Sequence, residues 1–141
     1  MPSPEAPLSG SCACGTVEFR VTAEFTTAGH CHCTRCQRRA GTPWSTNAVL
    51  PATGVTVVAG QGSLRTWRPE TGLSKSFCGL CGGHLFSGEP GLDGVVGVRF
   101  GALHASPGIT PRWRQWMSSA TDWVPIPDDG LPRFDGPREI D

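Results

Sequence analysis

The segment "GHCHCTRCQRR", residues 29–39, places Cys31, Cys33 and Cys36 within six positions, with His30 and His32 interleaved and Arg35, Arg38 and Arg39 close by. Thiols this close are metal ligands or catalytic groups rather than disulfide partners, because bridging the two ends of a C-x-C pair strains the short loop between them. The chain has seven cysteines, an odd number, so any complete pairing scheme leaves one thiol over. The other four fall in two pairs, Cys12 and Cys14 in "SCACG" and Cys78 and Cys81 in "FCGLCGG".

The "CGLCGG" knuckle is the strongest local signal. A C-x-x-C followed by glycine lets a tight turn aim two thiolates and several backbone N–H groups at one ion. Cys78 and Cys81 are half of such a site. Cys12 and Cys14 supply the other half, since alternate residues of an extended strand share a face and Gly15 bends the chain beside them. Four thiolates close a tetrahedral zinc site whose role is structural. An iron–sulfur cluster or an iron knuckle is the alternative occupant of four sulfurs, and zinc is the commoner one in a small β domain.

Cys31, Cys33 and Cys36 then form a second zinc site with three ligands and one open position, where an exogenous group binds. The alternative is that a histidine fills that position. In an extended chain His30 and His32 point away from the face shared by Cys31 and Cys33, which leaves His84 or His104 as the remaining candidates. Three thiolates on a dication leave one net negative charge, so the metal is a poor Lewis acid toward water and hydroxide-driven hydrolysis is disfavoured. A soft thiol is the better-matched ligand. The zinc deaminase pattern is excluded separately, because the chain has no H-x-E and no proline before its C-x-x-C. If the thiol carries carboxylates, Arg35, Arg38 and Arg39 are the nearest guanidinium partners; the plain alternative is that they are solvated loop charges. Of the five tryptophans, most are expected in the core or at its rim, with one or two lining a pocket.

The elements that must position these groups are short strands. At 141 residues, with 19 glycines, 13 prolines and a single lysine, Lys75, the chain reads as one turn-rich, all-β domain. "GTVEFRVT" alternates cleanly, with Val17, Phe19 and Val21 on one face and Glu18, Arg20 and Thr22 on the other. "WSTNAVL", "GVTVVAG", "SLRTWR", "LSKSFC", "HLFSG" and "GVVGVRFGAL" are further strand candidates between Pro and Gly punctuation. "TRCQRRAG" and "PRWRQWMSSA" are expected to form at most a turn or two of helix. From Pro125 the chain is rich in Pro, Gly and Asp, and an irregular surface tail is expected, with Trp123, Ile126 and Phe134 as its anchors.

Twelve basic residues balance twelve acidic ones, so no broad field points to nucleic acid or an anionic membrane as partner. The start "MPSPEAPLSG" lacks a charged n-region with an apolar core, and no apolar run approaches a membrane span. A cytoplasmic location is the expectation, which also favours metal ligands over disulfides.

Taken in order, "GSCACGTVEF", "CHCTRCQRRAG" and "FCGLCGGHLF" resemble the family of glutathione-dependent formaldehyde-activating enzymes, which also includes centromere protein V. The resemblance runs over roughly residues 9 to 127. It implies a domain at 9–127 between a flexible stretch at 1–8 and an irregular tail at 128–141. It also implies a small zinc-containing antiparallel β-sandwich, or β-tent, of two or more short sheets. The ligand sets it implies are Cys12, Cys14, Cys78 and Cys81 for the structural zinc, and Cys31, Cys33 and Cys36 for the catalytic one, the partition reached above. Glutathione would approach the second zinc and condense with formaldehyde to S-hydroxymethylglutathione. The chain departs from the family in "RQWMSSATDW", where Arg114 stands at the place of a frequent histidine and Asp122 at that of a proline.

The leading expectation is therefore a carbon–sulfur lyase or synthase that joins a small thiol and a small aldehyde at the three-cysteine zinc. The alternatives are a non-catalytic protein that carries glutathione or another thiol, and a zinc interaction module in which both sites are inert.

Overall fold

The structure, a computed structural model, describes residues 1–139 and is built almost wholly from strands. In chain order these are β1 (Leu8–Ser11), β2 (Glu18–Val21), β3 (Thr27–Cys31), β4 (Ser45–Pro51), β5 (Val55–Ala59), β6 (Leu64–Trp67), β7 (Lys75–Cys78), β8 (His84–Ser87), β9 (Val95–Arg99) and β10 (Arg114–Gln115). The α-helix α1 (Thr34–Ala40) follows β3. A three-stranded sheet runs β1-β2-β5 and a seven-stranded sheet runs β10-β3-β4-β9-β8-β7-β6. Among the described residues no helix is long and apolar enough to cross a membrane.

The two sheets meet across one apolar core. Val17, Phe19 and Val21 are fully buried, as their alternation requires, and the ring of Phe19 meets that of Phe86 on β8 edge-on at 4.9 Å. The large sheet contributes Ala28, Ala48, Leu50, Val96 and Val98 to the same core. Its opposite face is polar. Cys31 stands opposite Ser45, Asn47 opposite Arg99, and Ser87 opposite Lys75, so polar side chains from β3, β4, β9, β8 and β7 share one face. Pleating sends alternate residues to opposite faces, so the same strands serve the core and this polar face.

The all-β, largely antiparallel architecture is as expected, with two details that refine it. The large sheet is antiparallel except at its edge, where β10 pairs with β3 in parallel. "PRWRQWMSSA" is not helical up to Gln115. His30 N and His32 N donate to Trp113 O and Gln115 O, while on the other edge Arg114 N donates to Pro132 O and Phe134 N to Arg114 O. Strand pairing on both edges takes the backbone groups a helix would need. Only Met117–Ser119 forms a single 3₁₀ turn, entered through Trp116, the one non-glycine among the described residues at positive φ (57°).

The tail is irregular yet docked through these same hydrogen bonds, with Phe134 half-buried. Trp123, by contrast, is 65 % exposed and anchors nothing. At the other end β1 starts at Leu8, and Pro2 is already buried.

Candidate metal centres and the cavity beside one of them

Cys12, Cys14, Cys78 and Cys81 bring their four sulfurs within 4.8 Å of one another. Cys12 Sγ lies 3.7 Å from Cys14 Sγ, which lies 3.9 Å from Cys78 Sγ. Four sulfurs at about 2.3 Å from a tetrahedral ion sit about 3.8 Å apart, so the spacing suits such an ion. Backbone N–H groups point at the sulfurs: Val17 N donates to Cys12 Sγ at 3.3 Å, Leu80 N to Cys78 Sγ at 3.4 Å and Gly83 N to Cys81 Sγ at 3.4 Å. The turns that allow this place Gly15 and Gly82 at positive φ (77° and 74°). Hydrogen bonds from the backbone of Cys14 and then Gly83 hold the Cys81 thiol down at about 6, in the range where it binds metal as thiolate.

The second cluster joins the end of β3 to the first turn of α1. Cys33 is the helix N-cap, in an extended conformation, and its sulfur accepts from Cys36 N at 3.2 Å. The sulfurs of Cys31, Cys33 and Cys36 also lie within 4.8 Å of one another. Burial of Cys31 and Cys36 leaves Cys33 the most accessible of the three. Without an ion the three share their protons unequally: Cys31 is driven well up by its two neighbours, and Cys36 is pulled down by Cys31 and Cys33 first, then by Ser45 and Arg99. A cation at this position lets all three be thiolates at once. The helix is held in place by Gln37, whose Nε2 donates to His32 O and Ser119 O, both at 2.8 Å, and by Gly41 in the left-handed region at its C-terminus.

The histidines are elsewhere. His30 Nδ1 bonds Thr46 Oγ1 at 2.8 Å, and His32 Nε2 accepts from Arg114 Nη1 at 3.1 Å on the far side of the strand. Burial, then Arg114, lowers both imidazoles to about 4, so they are neutral. His104 Nε2 bonds Ser11 Oγ. Among the described residues no histidine joins the three-cysteine cluster, which agrees with the strand-alternation argument.

Three thiols open on a cavity of about 700 Å³ lined by Cys31, Cys33 and Cys36, by Arg35, Lys75, Gln115 and Trp116, and by the loop at Thr71–Leu73. The register explains part of this wall. Gln115 stands beside Cys31 and shares its face, whereas Arg114 stands beside His30 and faces away. Arg35 Nη1 donates to Thr71 O at 2.9 Å and its guanidinium lies 5.4 Å from the Trp67 ring, so it ties the loop to the helix.

Of the arginines singled out in the sequence, only Arg35 reaches the cavity wall. Arg39 is half-buried and feels the charge of Cys36. Arg38 is exposed; two positions from Cys36, it lies about 200° around the helix, and the structure does not bring it to the thiols. Sequence reasoning missed Lys75 and Arg99. Each is 8 % exposed, and they share one acceptor: Lys75 Nζ and Arg99 Nη1 both donate to Ser87 Oγ at 3.0 Å. Arg99 Nη1 also bonds Asn47 Oδ1, Asn47 Nδ2 donates to Ser45 Oγ at 3.1 Å, and the Ser45 hydroxyl reaches Cys36. The faint signal was alternation, since Ser45, Asn47, Ser87 and Arg99 sit at polar positions of otherwise apolar strands.

Arg114 is only 2 % exposed, stacked 4.9 Å from the Trp44 ring and paired with Asp129 of the tail at 2.8 Å. Asp122 is exposed.

A small all-β fold with one closed four-sulfur cluster and one open three-sulfur cluster defines a class of paired thiol sites. Residues 7–119 match the family model described as glutathione-dependent formaldehyde-activating enzyme, and the chain belongs to that family. It is 25 % identical over 112 residues to a Talaromyces marneffei protein named "Putative glutathione-dependent formaldehyde-activating enzyme". The match takes in 79 % of this chain and 59 % of that protein, so the chain spans about three-fifths of this relative's length. A crystal structure of a Rhodobacter sphaeroides protein superimposes with a TM-score of 0.58 at 25 % identity, covering 89 % of this chain and 98 % of that one. The family match ends at residue 119, so Asp129 lies beyond it.

Proposed function

We propose that the three-cysteine site holds zinc and takes up glutathione or a similar small thiol, which the protein joins to formaldehyde or another small aldehyde. The four-cysteine cluster holds a second, structural zinc. The observation that carries this reading is the junction of three convergent thiols with a cavity large enough for a tripeptide side arm and an aldehyde. A zinc ion bound by Cys31, Cys33 and Cys36 supplies a soft cation that favours the ionised form of a thiol.

The chain's own residues do the rest. Arg35 offers a guanidinium for a carboxylate at the rim, and Gln115 offers an amide beside Cys31. Trp116, 39 % exposed, adds an aromatic surface to the lining. In the reaction the thiol proton leaves to solvent, sulfur forms a bond to the aldehyde carbon, and the oxygen, taking the former π pair, acquires a proton to give a hydroxymethyl thioether. Holding the two reactants together is the main contribution, for a thiol and formaldehyde need little general-base help. The activity is that of a carbon–sulfur lyase or synthase, in a domain that we place at residues 9–127 and in the cytoplasm.

One observation favours a carrier as the second reading: among the described residues the cavity lining includes no carboxylate and no histidine. The test is metal content with titrated glutathione, followed by turnover. Two zincs per chain, protection of one of them by glutathione against a chelator, and condensation faster than in buffer are expected. Protection without acceleration would establish the carrier; no protection by any thiol would leave an inert module.

A further inference from the structure

We propose that Lys75 and Arg99 are paired counter-cations that hold a second negative charge at the three-cysteine site, so that the site selects an anionic ligand, a thiolate, over a neutral one. The inference rests on the reading that this site binds a metal and a thiol, and it concerns what the protein supplies around them. Both side chains are more than nine-tenths buried and lie on the polar face of the large sheet that also carries Cys31. Among the described residues no carboxylate pairs with either; the ion pairs are Arg68–Glu89 and Arg114–Asp129. Their hydrogen bonds go to neutral oxygens of Ser87 and Asn47, and Arg99 Nε has no protein partner at all.

Two buried cations without a carboxylate are costly unless an anion stands near. Burial works first against the charge of both, Arg99 adds to this at Lys75 and Arg39 at Arg99, and the groups that favour the charged forms are Cys36, Cys31 and Cys33. A dication held by three thiolates carries one net negative charge, too little to balance two cations; a bound thiolate brings the charge to two, and the balance closes. Arg39 is only half-buried and is largely compensated by solvent. Lys75 lines the cavity; Arg99 shares the Ser87 Oγ acceptor with it and also lines a second cavity with His84 and Gly101, so Lys75 is the cation nearer the ligand and Arg99 acts through the shared hydrogen-bond network. The selection concerns the charge on the ligand's donor atom, and it is separate from any contact of Arg35 with a carboxylate.

The experiment uses protein loaded with cobalt(II) and reads the ligand-to-metal absorption as glutathione, 2-mercaptoethanol, azide or imidazole is added. Lys75→Gln removes the charge and keeps a donor for Ser87; Lys75→Arg restores the charge. For Lys75→Gln both thiols and azide should weaken by about tenfold or more, imidazole should change by less than about twofold, and Lys75→Arg should recover most of the loss. Arg99→Gln reads the same effect from the second cation if Lys75→Gln does not fold. Wild-type protein alone already discriminates, since it should bind azide more tightly than imidazole. The inference is overturned by equal loss for anionic and neutral ligands, by loss for glutathione alone, or by wild-type preference for imidazole. Failure of wild type to bind any thiol is a different result, which removes the proposed function and this inference with it.

Discussion

Cys14 Sγ and Cys78 Sγ lie 3.9 Å apart although 64 positions separate them in the chain. One ion held at this point would tie the turn between β1 and β2 to the end of β7, and its binding energy would then be folding energy. Cys78→Ser is expected to unfold the protein or lower its melting temperature drastically. Cys33→Ser should stay folded, within roughly 1–2 kcal/mol of wild type, because serine also caps the helix that Cys33 begins. Thermal melts in buffered zinc compare the two, and equal damage would contradict the division into a structural and a functional cluster.

Arg35 and Arg38 separate by position on one short helix. Arg35 lines the cavity, whereas Arg38, about 60° from it around the helix, is exposed and outside the lining. Arg35→Ala should weaken glutathione's protection of the labile metal by about tenfold, whereas Arg38→Ala should stay within about twofold. Chelator-release rates at graded glutathione concentrations provide the comparison. A larger effect at Arg38 would place the thiol on the outer face of α1.

Gly29 stands on β3 where Trp113 lies across the strand, and a Cβ there would run into the indole. Trp113 cannot retreat freely, since its Nε1 bonds Thr27 Oγ1 at 2.8 Å. Gly29→Ala is therefore expected to cost roughly 1–3 kcal/mol in urea denaturation. It should also loosen β10, which supplies Gln115 to the cavity, so thiol binding should fall with stability. Unchanged stability would mean that Trp113 has an alternative seat.

Asp129 is held below the usual carboxylate range by its hydrogen bond from Arg114. A group whose folded value is depressed contributes stability that is fully present above its unfolded value and lost as pH falls through the folded one. The stability difference between wild type and Asp129→Asn should thus be flat from about pH 6 to 9 and shrink only below about 4. Denaturation at several pH values reads this directly. A difference that varies across neutral pH would point to His32 rather than Asp129 as the partner that matters.

The two cysteine sets were legible in the sequence because ligand spacing is local: C-x-C and C-x-x-C determine which sulfurs share a face or a turn, whatever the rest of the chain does. Strand alternation likewise placed Val17, Phe19 and Val21 in the core and turned His30 and His32 away from the thiols. The cations behind the open cluster were not legible. Lys75 and Arg99 occupy alternate positions that read as the solvent side of a half-buried strand, and only the assembled fold buries that side. In the same way, "PRWRQWMSSA" carries no local sign that β3 and residues 132–134 will take its backbone hydrogen bonds. The sequence by itself determined which atoms are suited to bind metal, since that depends on neighbours along the chain. Only the tertiary structure decided which charges face those atoms, since burial depends on segments far away in sequence that come to lie on top.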